Sequence, residues 1–564
     1  MKNLDKYFNR VLPVIGRELQ NKIIVFFNLD QTHLIVDAFA RCGVKKMIFI
    51  DSRIVKAESA FVLSYGVKYV GQNIGKAMSD VICNHNKLIK DWQHILIEKS
   101  NIEEAISNND INLLVGAGDV KEGISILIKS HSNQIPAIFF VVLEGLPISS
   151  VVFIKHPELP DVSNTILKIN KYNVLSSIDL KHRITWLEAS DLVMNFAKGL
   201  LLRGSKYQRN DLEKIFFKQK KNVVLRGQTE WPWWIHYINP EEKLNYLEQI
   251  FKTKFFIPQL PINILKDSKV MLIGCGTGSL VASELVNYFK QILFVDYKSF
   301  SIYNPVRQLL GTDYIGQPKP LALINYLQSK LGFDPVDHVK HSNTTNDEHN
   351  LDELLLKITE GDEKSVQTFE SLLTSFNPDL VIVATGRTYD DNYTICEILR
   401  KRGIKHIIPS AFPCATHYKT IVVDGHNGPC YECIRGNTNV DYSDAVQLNS
   451  ESREMFYSDS DDPTQPATIF ETWPSSHNFL RLCLEILVIP ELRSSWFEQC
   501  ITHDQACFVG GNIADKIDDG YAYGVAFPGQ VVVYGMQDLI RVDENEYICP
   551  TCKKSYQVVH TIKT

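Results

Sequence analysis

The sequence predicts an α/β protein of two tandem doubly wound, Rossmann-like domains, the first a degenerate copy of the second. Three observations carry that prediction. Residues 269–319 run as strand, turn, helix and strand: an apolar run at 270–273, the turn Gly274-Cys275-Gly276, an apolar-periodic helix from about 279 to 290, and an apolar run at 292–295 that ends in Asp296. The first third repeats this order, with KIIVFF at 22–27, a helical stretch at 34–41 and MIFI at 47–50 ending in Asp51. Gly71-Gln72 follows Asp51 at the spacing at which Gly316-Gln317 follows Asp296, and NLLVGAG at 112–118 matches LVIVATG at 380–386. Self-similarity over this span points to two copies of one fold.

The second copy carries the chemistry. In a strand–turn–helix unit with little side chain at the turn, backbone N–H groups at the helix start face an anion, and a carboxylate ending the next strand reaches a ribose hydroxyl. Gly274 and Gly276 supply the turn and Asp296 the carboxylate, while Ser279 stands where the usual fingerprint has its third glycine. That much would also suit a nicotinamide dinucleotide. The residues beyond it favour a triphosphate. Asn304, Arg307 and Gln308 in NPVRQ, and Lys319 in IGQPK, put two cations and two amides just past the carboxylate. Cations there offset charge developing on phosphorus.

On these residues the stretch resembles the ThiF-type adenylation domain shared by ubiquitin-activating and sulfur-carrier-activating enzymes. The resemblance implies that Gly274, Gly276, Asp296, Asn304, Arg307, Gln308 and Lys319 bind ATP, with Arg307 and Lys319 also acting on the phosphates during catalysis. Lys298 departs from the family, which often has a second acid there.

The first copy lacks these features. Where the second has GCGTGS, it has FNLDQTH, with Asp30 and no glycine, and no N-x-x-R-Q run follows Asp51. It is therefore not expected to bind ATP. Fused pairs of an inactive and an active adenylation domain occur in the ubiquitin-activating family. YFNRVLPVIGRELQ at 7–20 is similar to that family's opening helix through Tyr7, Arg10 and Gly16, with Val11 in place of a glutamine. The resemblance implies that Arg10 reaches the nucleotide of the second copy; the bland alternative is a surface arginine.

Composition sets the bounds. A chain of 564 residues, 45% hydrophobic and 22% charged, has the composition of an ordinary soluble protein with room for several domains. A net charge of −6 gives no reason to expect nucleic acid as a partner. No apolar run reaches membrane-spanning length, and MKNLDKYFNRVLPV lacks a signal-peptide pattern. Twelve cysteines, several inside apolar runs, suit a reducing cytoplasm.

The domain reading is residues 1–160 for the inactive domain with its N-terminal helix, 161–265 for helical packing and linker, and 266–564 for the active domain. Within the middle region, residues 184–202 form a long apolar helix suited to packing between domains, and the prolines at 258 and 261 mark a linker. Trp231, Trp233 and Trp234 read as core or as a platform for a protein partner. Residues 340–375 are polar and acidic, an inserted surface segment. TGRTYDDNYT then opens a helix. By resemblance Asp391-Asn392 matches the family's D-N pair, whose acid serves magnesium and the adenylate. Asp390 is the alternative, and either acid also suits a helix cap.

Two C-x-x-C knuckles, Cys430/Cys433 and Cys549/Cys552, suit tetrahedral thiolate binding of a structural zinc, with a redox pair as the alternative. The family places its zinc in this way. A thioester cysteine is missing from its usual place, because residues 434–474 contain no cysteine. Cys483 reads as core. The remaining candidates are Cys500 first, in an insertion-like run within 489–528, then Cys414 and Cys507; Cys500 and Cys414 each have a histidine three residues on.

The resemblance implies a ubiquitin-like-protein activating enzyme that uses ATP and Mg2+. It would adenylate the carrier's C-terminal carboxylate and pass the acyl group to a thiol and then to a conjugating enzyme, as a possible homodimer. No ubiquitin-fold domain is evident after Cys552, and a small bacterial conjugation system, such as those of phage defence, would fit by resemblance. The alternatives are a thiol-free adenylyltransferase acting on a peptide C-terminus, an NAD(P)-dependent oxidoreductase, and a scaffold.

Overall fold

The structure, a computed structural model, describes residues 2–9, 11–60, 65–97, 106, 110–144, 148–169, 172–175, 182–206, 212–227, 235–238, 240, 265–276, 278–289, 291–296, 298–332, 339–341, 358, 362–385, 389–411, 417–435, 467–493, 497, 507–511, 534–535, 538–541, 548–549, 551–553 and 556–559. Among them, β1 (Ile23–Phe27), β2 (Lys46–Ile50), β3 (Gln93–Ile97), β4 (Leu113–Ala117), β5 (Ala137–Val142), β6 (Ile148–Lys155), β7 (Val223–Gly227) and β8 (Ile235–Ile238) form one sheet in the order 3-2-1-4-5-6-7-8. A second sheet contains β9 (Lys269–Ile273), β10 (Gln291–Val295), β11 (Val339–His341), β12 (Leu380–Val383), β13 (Lys405–Ala411), β14 (His417–Val423), β15 (Cys507–Gly511) and β16 (Tyr534–Gly535), in the order 11-10-9-12-13-14-15-16. β17 (Asp538–Arg541) and β18 (Tyr556–Val559) pair separately.

The two orders are the same. In each sheet five strands run parallel and three more add antiparallel at one edge. The parallel strands are short runs of Val, Ile, Leu and Phe buried on both faces, as helices packed on both sides require. Strand order reverses beside β1 in one sheet and beside β9 in the other. That is where a doubly wound sheet opens a crevice at its carboxyl ends.

Two regions differ from the sequence reading. The first sheet continues past residue 160, because β7 and β8 fall in the stretch expected to be helix and linker. Residues 363–376, placed in the surface insertion, form a helix whose Phe369, Leu373 and Phe376 are buried against the second sheet. Their i, i+4, i+7 spacing makes one apolar stripe, which the surrounding charge conceals.

The repeats pack face to face and share one core. Helix Arg183–Leu201 lies between them, as its apolar length suggests. Across this interface Arg183 pairs with Glu284 at 2.7 Å, Lys198 with Glu471 at 2.6 Å, and His477 with Asp191 at 2.9 Å, all buried. Such pairs specify one packing, since removing one partner strands a buried charge. The contacts are reciprocal: a Cβ on Gly311 would lie 2.6 Å from the His85 Cα, and one on Gly66 would lie 2.7 Å from the Lys330 carbonyl. Gly66 and Gly311 are equivalent positions, as are His85 and Lys330, so the repeats are related by an approximate two-fold axis. Among the described residues no helix is long and apolar enough to cross a membrane.

Candidate active site

The glycine turn leaves β9 and enters helix Gly278–Tyr288. Gly274 has φ +97°, and a Cβ there would lie 2.2 Å from the Ala384 carbonyl oxygen at the end of β12. Only glycine fits that approach. Gly276 differs: a Cβ would meet nothing nearer than Gln308 Nε2 at 3.6 Å and Lys319 Nζ at 3.9 Å. Its bareness keeps a space open between the turn and those two side chains. The third fingerprint glycine proves to be displaced by one. Gly278 takes the close packing against Leu272, and this frees Ser279 to donate to the Gly276 carbonyl at 2.6 Å and accept from the Leu309 N–H at 3.4 Å.

Asp296 ends β10 and organises the turn. Its Oδ2 accepts from the Cys275 N–H at 2.6 Å and its Oδ1 from the Lys298 N–H at 2.8 Å. Lys319, at the start of helix Lys319–Leu331, brings its Nζ to 3.9 Å from Asp296 Oδ2. This distance is long for an ion pair and leaves the ammonium donors available. Lys298, in place of a second acid, is exposed and contributes its backbone to Asp296.

The NPVRQ run forms a single turn, with the Arg307 and Gln308 N–H groups both donating to the Asn304 carbonyl. Asn304 Oδ1 accepts from the Ser301 N–H at 2.8 Å, so this amide holds the loop. Among the described residues the Arg307 side chain has no anion: its Nε is buried without a hydrogen-bond partner, and burial pushes its pKa down to about 10, still cationic at neutral pH. The buried Oε1 of Gln308 is also unpartnered. Among the described residues, then, Gln308 and Lys319 flank the bare Gly276, and the same loop carries Arg307 with an unpartnered Nε. A buried donor without a partner is costly unless an acceptor joins it.

Asp390 and Asp391 stand in the first turn of helix Tyr389–Lys401, but their side chains lie outside the described residues. Asn392 is buried and its Oδ1 accepts from Thr385 Oγ1 at 2.7 Å, which fixes the helix start beside the end of β12. Arg10, Cys414, Cys500 and the tryptophans at 231, 233 and 234 lie outside the described residues, as does the side chain of Cys507. Tyr7, from the same motif as Arg10, is fully buried and donates to the Arg41 carbonyl at 3.1 Å.

The four knuckle cysteines do come together. The sulfurs of Cys430, Cys433, Cys549 and Cys552 all lie within 4.8 Å of one another. Individual separations are 3.7 Å for Cys430–Cys433, 3.5 Å for Cys430–Cys549 and 3.4 Å for Cys433–Cys552. Tetrahedral zinc with bonds of about 2.3 Å spaces its sulfurs about 3.8 Å apart, so the cluster has the size of a closed zinc site. Two residues of helix Tyr389–Lys401 tie it down. Arg400 donates to the carbonyls of Gly425, His426, Asn427 and Gly428 just ahead of Cys430, and the Tyr393 hydroxyl meets Thr551 Oγ1 at 3.0 Å.

In the first repeat the same frame holds different contents. Asp51 Oδ2 accepts from the Leu29 N–H at 2.9 Å and Oδ1 from the Arg53 N–H at 3.1 Å, just as Asp296 does with its own turn. Arg53 folds back onto this carboxylate, with Nη2 at 2.5 Å, and reaches Asp30 at 3.2 Å and Asn28 Oδ1 at 2.7 Å. Asp30 occupies the place of Gly276, and desolvation raises its pKa to about 6.

Residues 248–456 match the ThiF family. A segment of 56 residues is 48% identical to the ubiquitin-like modifier-activating enzyme ATG7 of Komagataella pastoris, covering 10% of this chain and 9% of that protein. A segment of 66 residues is 44% identical to ATG7 of Eremothecium gossypii, covering 11% of each. The match thus spans about a tenth of the length of these relatives. Among solved structures, E. coli MccB with ATP is similar at 13% identity and a TM-score of 0.30, covering 41% of this chain and 67% of that one. PaaA is similar at 14% identity and a TM-score of 0.29, covering 45% and 75%.

Proposed function

We propose, for a chain that carries a ThiF-family domain, that its second repeat adenylates the C-terminal carboxylate of a ubiquitin-like protein. The observation that carries this reading is the space that Gly276 leaves bare between the turn, Gln308 and Lys319, on the loop that also bears Arg307 with its buried Nε unpartnered among the described residues. ATP would enter with its phosphates over the Gly274–Gly276 turn and its ribose hydroxyls toward Asp296. A carboxylate oxygen attacks the α-phosphorus in line, the bond to the bridging oxygen breaks, and pyrophosphate leaves with its electron pair. The products are an acyl adenylate and pyrophosphate. Arg307 and Lys319 offset charge on the phosphates, while the turn and Gln308 orient them. Asp391 is proposed to hold Mg2+, which when bound would offset negative charge on the phosphates. Arg10 is proposed to reach the same nucleotide, and the four cysteines to hold a structural zinc.

The thiols narrow where an acyl group could pass to sulfur. Cys42, Cys275, Cys396 and Cys483 are buried, and desolvation raises each well above the ordinary thiol range; Cys83 is raised as well. None suits a nucleophile. Outside the zinc cluster this leaves Cys500, Cys414 and Cys507 for a thioester en route to a conjugating enzyme. It also keeps open a second reading, an adenylyltransferase that stops at the adenylate of a peptide or carrier.

The test is exchange of labelled pyrophosphate into ATP. Exchange that requires a candidate carrier, and that disappears in Lys319→Ala, supports the reading. Exchange that persists in Lys319→Ala contradicts it. A reductant-sensitive carrier adduct lost in one Cys→Ser variant separates thioester transfer from the thiol-free reading.

A further inference from the structure

We infer that Arg41, a residue of the degenerate first repeat, is a positioning residue for the active site of the second. The inference rests on the adenylation reading, since it assigns Arg41 the task of shaping the loop that bears Arg307 and Gln308.

Arg41 ends helix Leu29–Arg41 and is 1% exposed. Its Nη1 donates to the carbonyls of Pro305 at 2.7 Å, Gln308 at 2.8 Å and Leu310 at 3.3 Å, and its Nη2 donates to that of Leu309 at 2.7 Å. Its Nε donates to Asp37 Oδ2 at 3.0 Å. Four carbonyls between Pro305 and Leu310 are therefore gathered onto one guanidinium. Within the same stretch, the Arg307 carbonyl accepts from Thr472 Oγ1 at 3.0 Å. Four buried carbonyls aimed at one point repel one another and would each be an unsatisfied acceptor if the cation were missing. Arginine suits the task because its donors lie in one plane in fixed directions, whereas an ammonium is a point charge on a flexible stem.

The anchor behind the clamp is built as well. Burial alone would raise the pKa of Asp37, but Arg41 and His85 more than offset this and hold it well below the usual carboxylate range. His85 Nδ1 lies 2.9 Å from Asp37 Oδ1 and 3.1 Å from Arg41 Nη2. At the far end of the same loop, the Lys87 N–H donates to Thr312 Oγ1 at 3.0 Å, and Gly311 lies directly against the His85 backbone.

The approximate two-fold axis supplies a control within the molecule. A clamp needed only to hold the repeats together would be expected on both sides. The positions equivalent to Asp37 and Arg41 in the second repeat are Ser283 and Asn287, and Asn287 Nδ2 merely donates to the Ser283 carbonyl of its own helix at 3.4 Å. The charged clamp exists on the side that faces the Arg307 loop.

The experiment is calorimetric titration of the full chain with ATP and magnesium, alongside thermal melting without nucleotide. Arg41→Lys keeps the charge but loses the planar fork, and should weaken ATP binding about tenfold or more in a protein that still melts cooperatively. Asp191→Asn, which breaks the pair with His477 across the same interface, should lower the Tm and leave the ATP Kd within about twofold. In an Arg307→Ala background the effect of Arg41→Lys should shrink to less than about twofold, because Arg41 acts through the loop that positions Arg307. A lowered Tm with an unchanged Kd in Arg41→Lys overturns the inference, as does an effect that persists undiminished without Arg307. Should Arg41→Lys fail to fold, Asp37→Asn loosens the same anchor; a Kd about threefold weaker supports the inference and an unchanged one overturns it. Failure of the unmodified protein to bind ATP at all would instead overturn the adenylation reading.

Discussion

Asp51 and Asp296 end equivalent strands, and each accepts the first backbone N–H of its turn, yet one carboxylate is closed and the other open. Arg53 lies on Asp51 at 2.5 Å and spans to Asp30, so the first repeat carries its own counter-ion where a nucleotide would sit. In the second repeat Lys319 stands 3.9 Å from Asp296, and among the described residues Arg307 has no anion. The comparison teaches that a doubly wound frame survives the loss of its ligand by satisfying its polar groups internally. A frame that leaves them unsatisfied is one that expects a ligand. The two halves also divide the work, since the closed repeat holds the open one in shape through Arg41.

The largest expected effect breaks the comparison at its acids and cations. Asp296→Ala and Lys319→Ala should each lower pyrophosphate exchange by about 100-fold or more while the chain still folds. Asp51→Asn should leave exchange within about twofold, since its partner is the internal Arg53. Carrier-dependent exchange rates of the three variants, each with a melting curve, check this.

A second contrast lies inside the glycine turn. Gly274→Ala meets the backbone of β12 at a positive φ and should cost about 3 kcal/mol or more in stability, seen in denaturant unfolding. Gly276→Ala enters open space and should leave stability nearly unchanged while it weakens ATP binding about tenfold, because the methyl faces the nucleotide.

The cysteine cluster has no counterpart among the described residues of the first repeat. Cys430→Ser should release about one zinc per chain and destabilise the second repeat by roughly 3 kcal/mol. Metal analysis and unfolding monitored in each repeat would show this; zinc-free protein purified without chelator would contradict it.

The last contrast concerns the interface. Burial alone would raise the pKa of Glu284, but the Arg183 guanidinium more than offsets this and brings it down to about 2. The pair's contribution, on the order of 3 kcal/mol, should be fully present above pH ~4.5 and lost as pH falls from there toward ~2, because the unfolded carboxylate takes up its proton first. Glu284→Gln should flatten this part of the stability–pH profile.

The glycine turn, Asp296, the N-x-x-R-Q run, Lys319, both knuckles and the repeat itself were legible in the sequence because their signals are local or recur at fixed spacing. The Arg41 clamp was not. Its partners lie more than 260 residues away and are main-chain carbonyls, which leave no mark on residue type. Ser279 looked like a flaw in the glycine fingerprint and instead ties the turn to the loop, a use visible only once Leu309 is in place. The strands β7 and β8 hid behind a long helix, since a chain that leaves a sheet and returns carries no periodicity of its own. The helix Glu363–Phe376 was masked by the acidic residues around it.

The most direct test of the account is the stoichiometry and location of ATP binding. Calorimetry on the full chain should give one ATP per chain, lost in Asp296→Ala and retained in Asp51→Asn. Two sites, or a single site lost with Asp51 and kept without Asp296, would contradict the assignment of one open and one closed repeat.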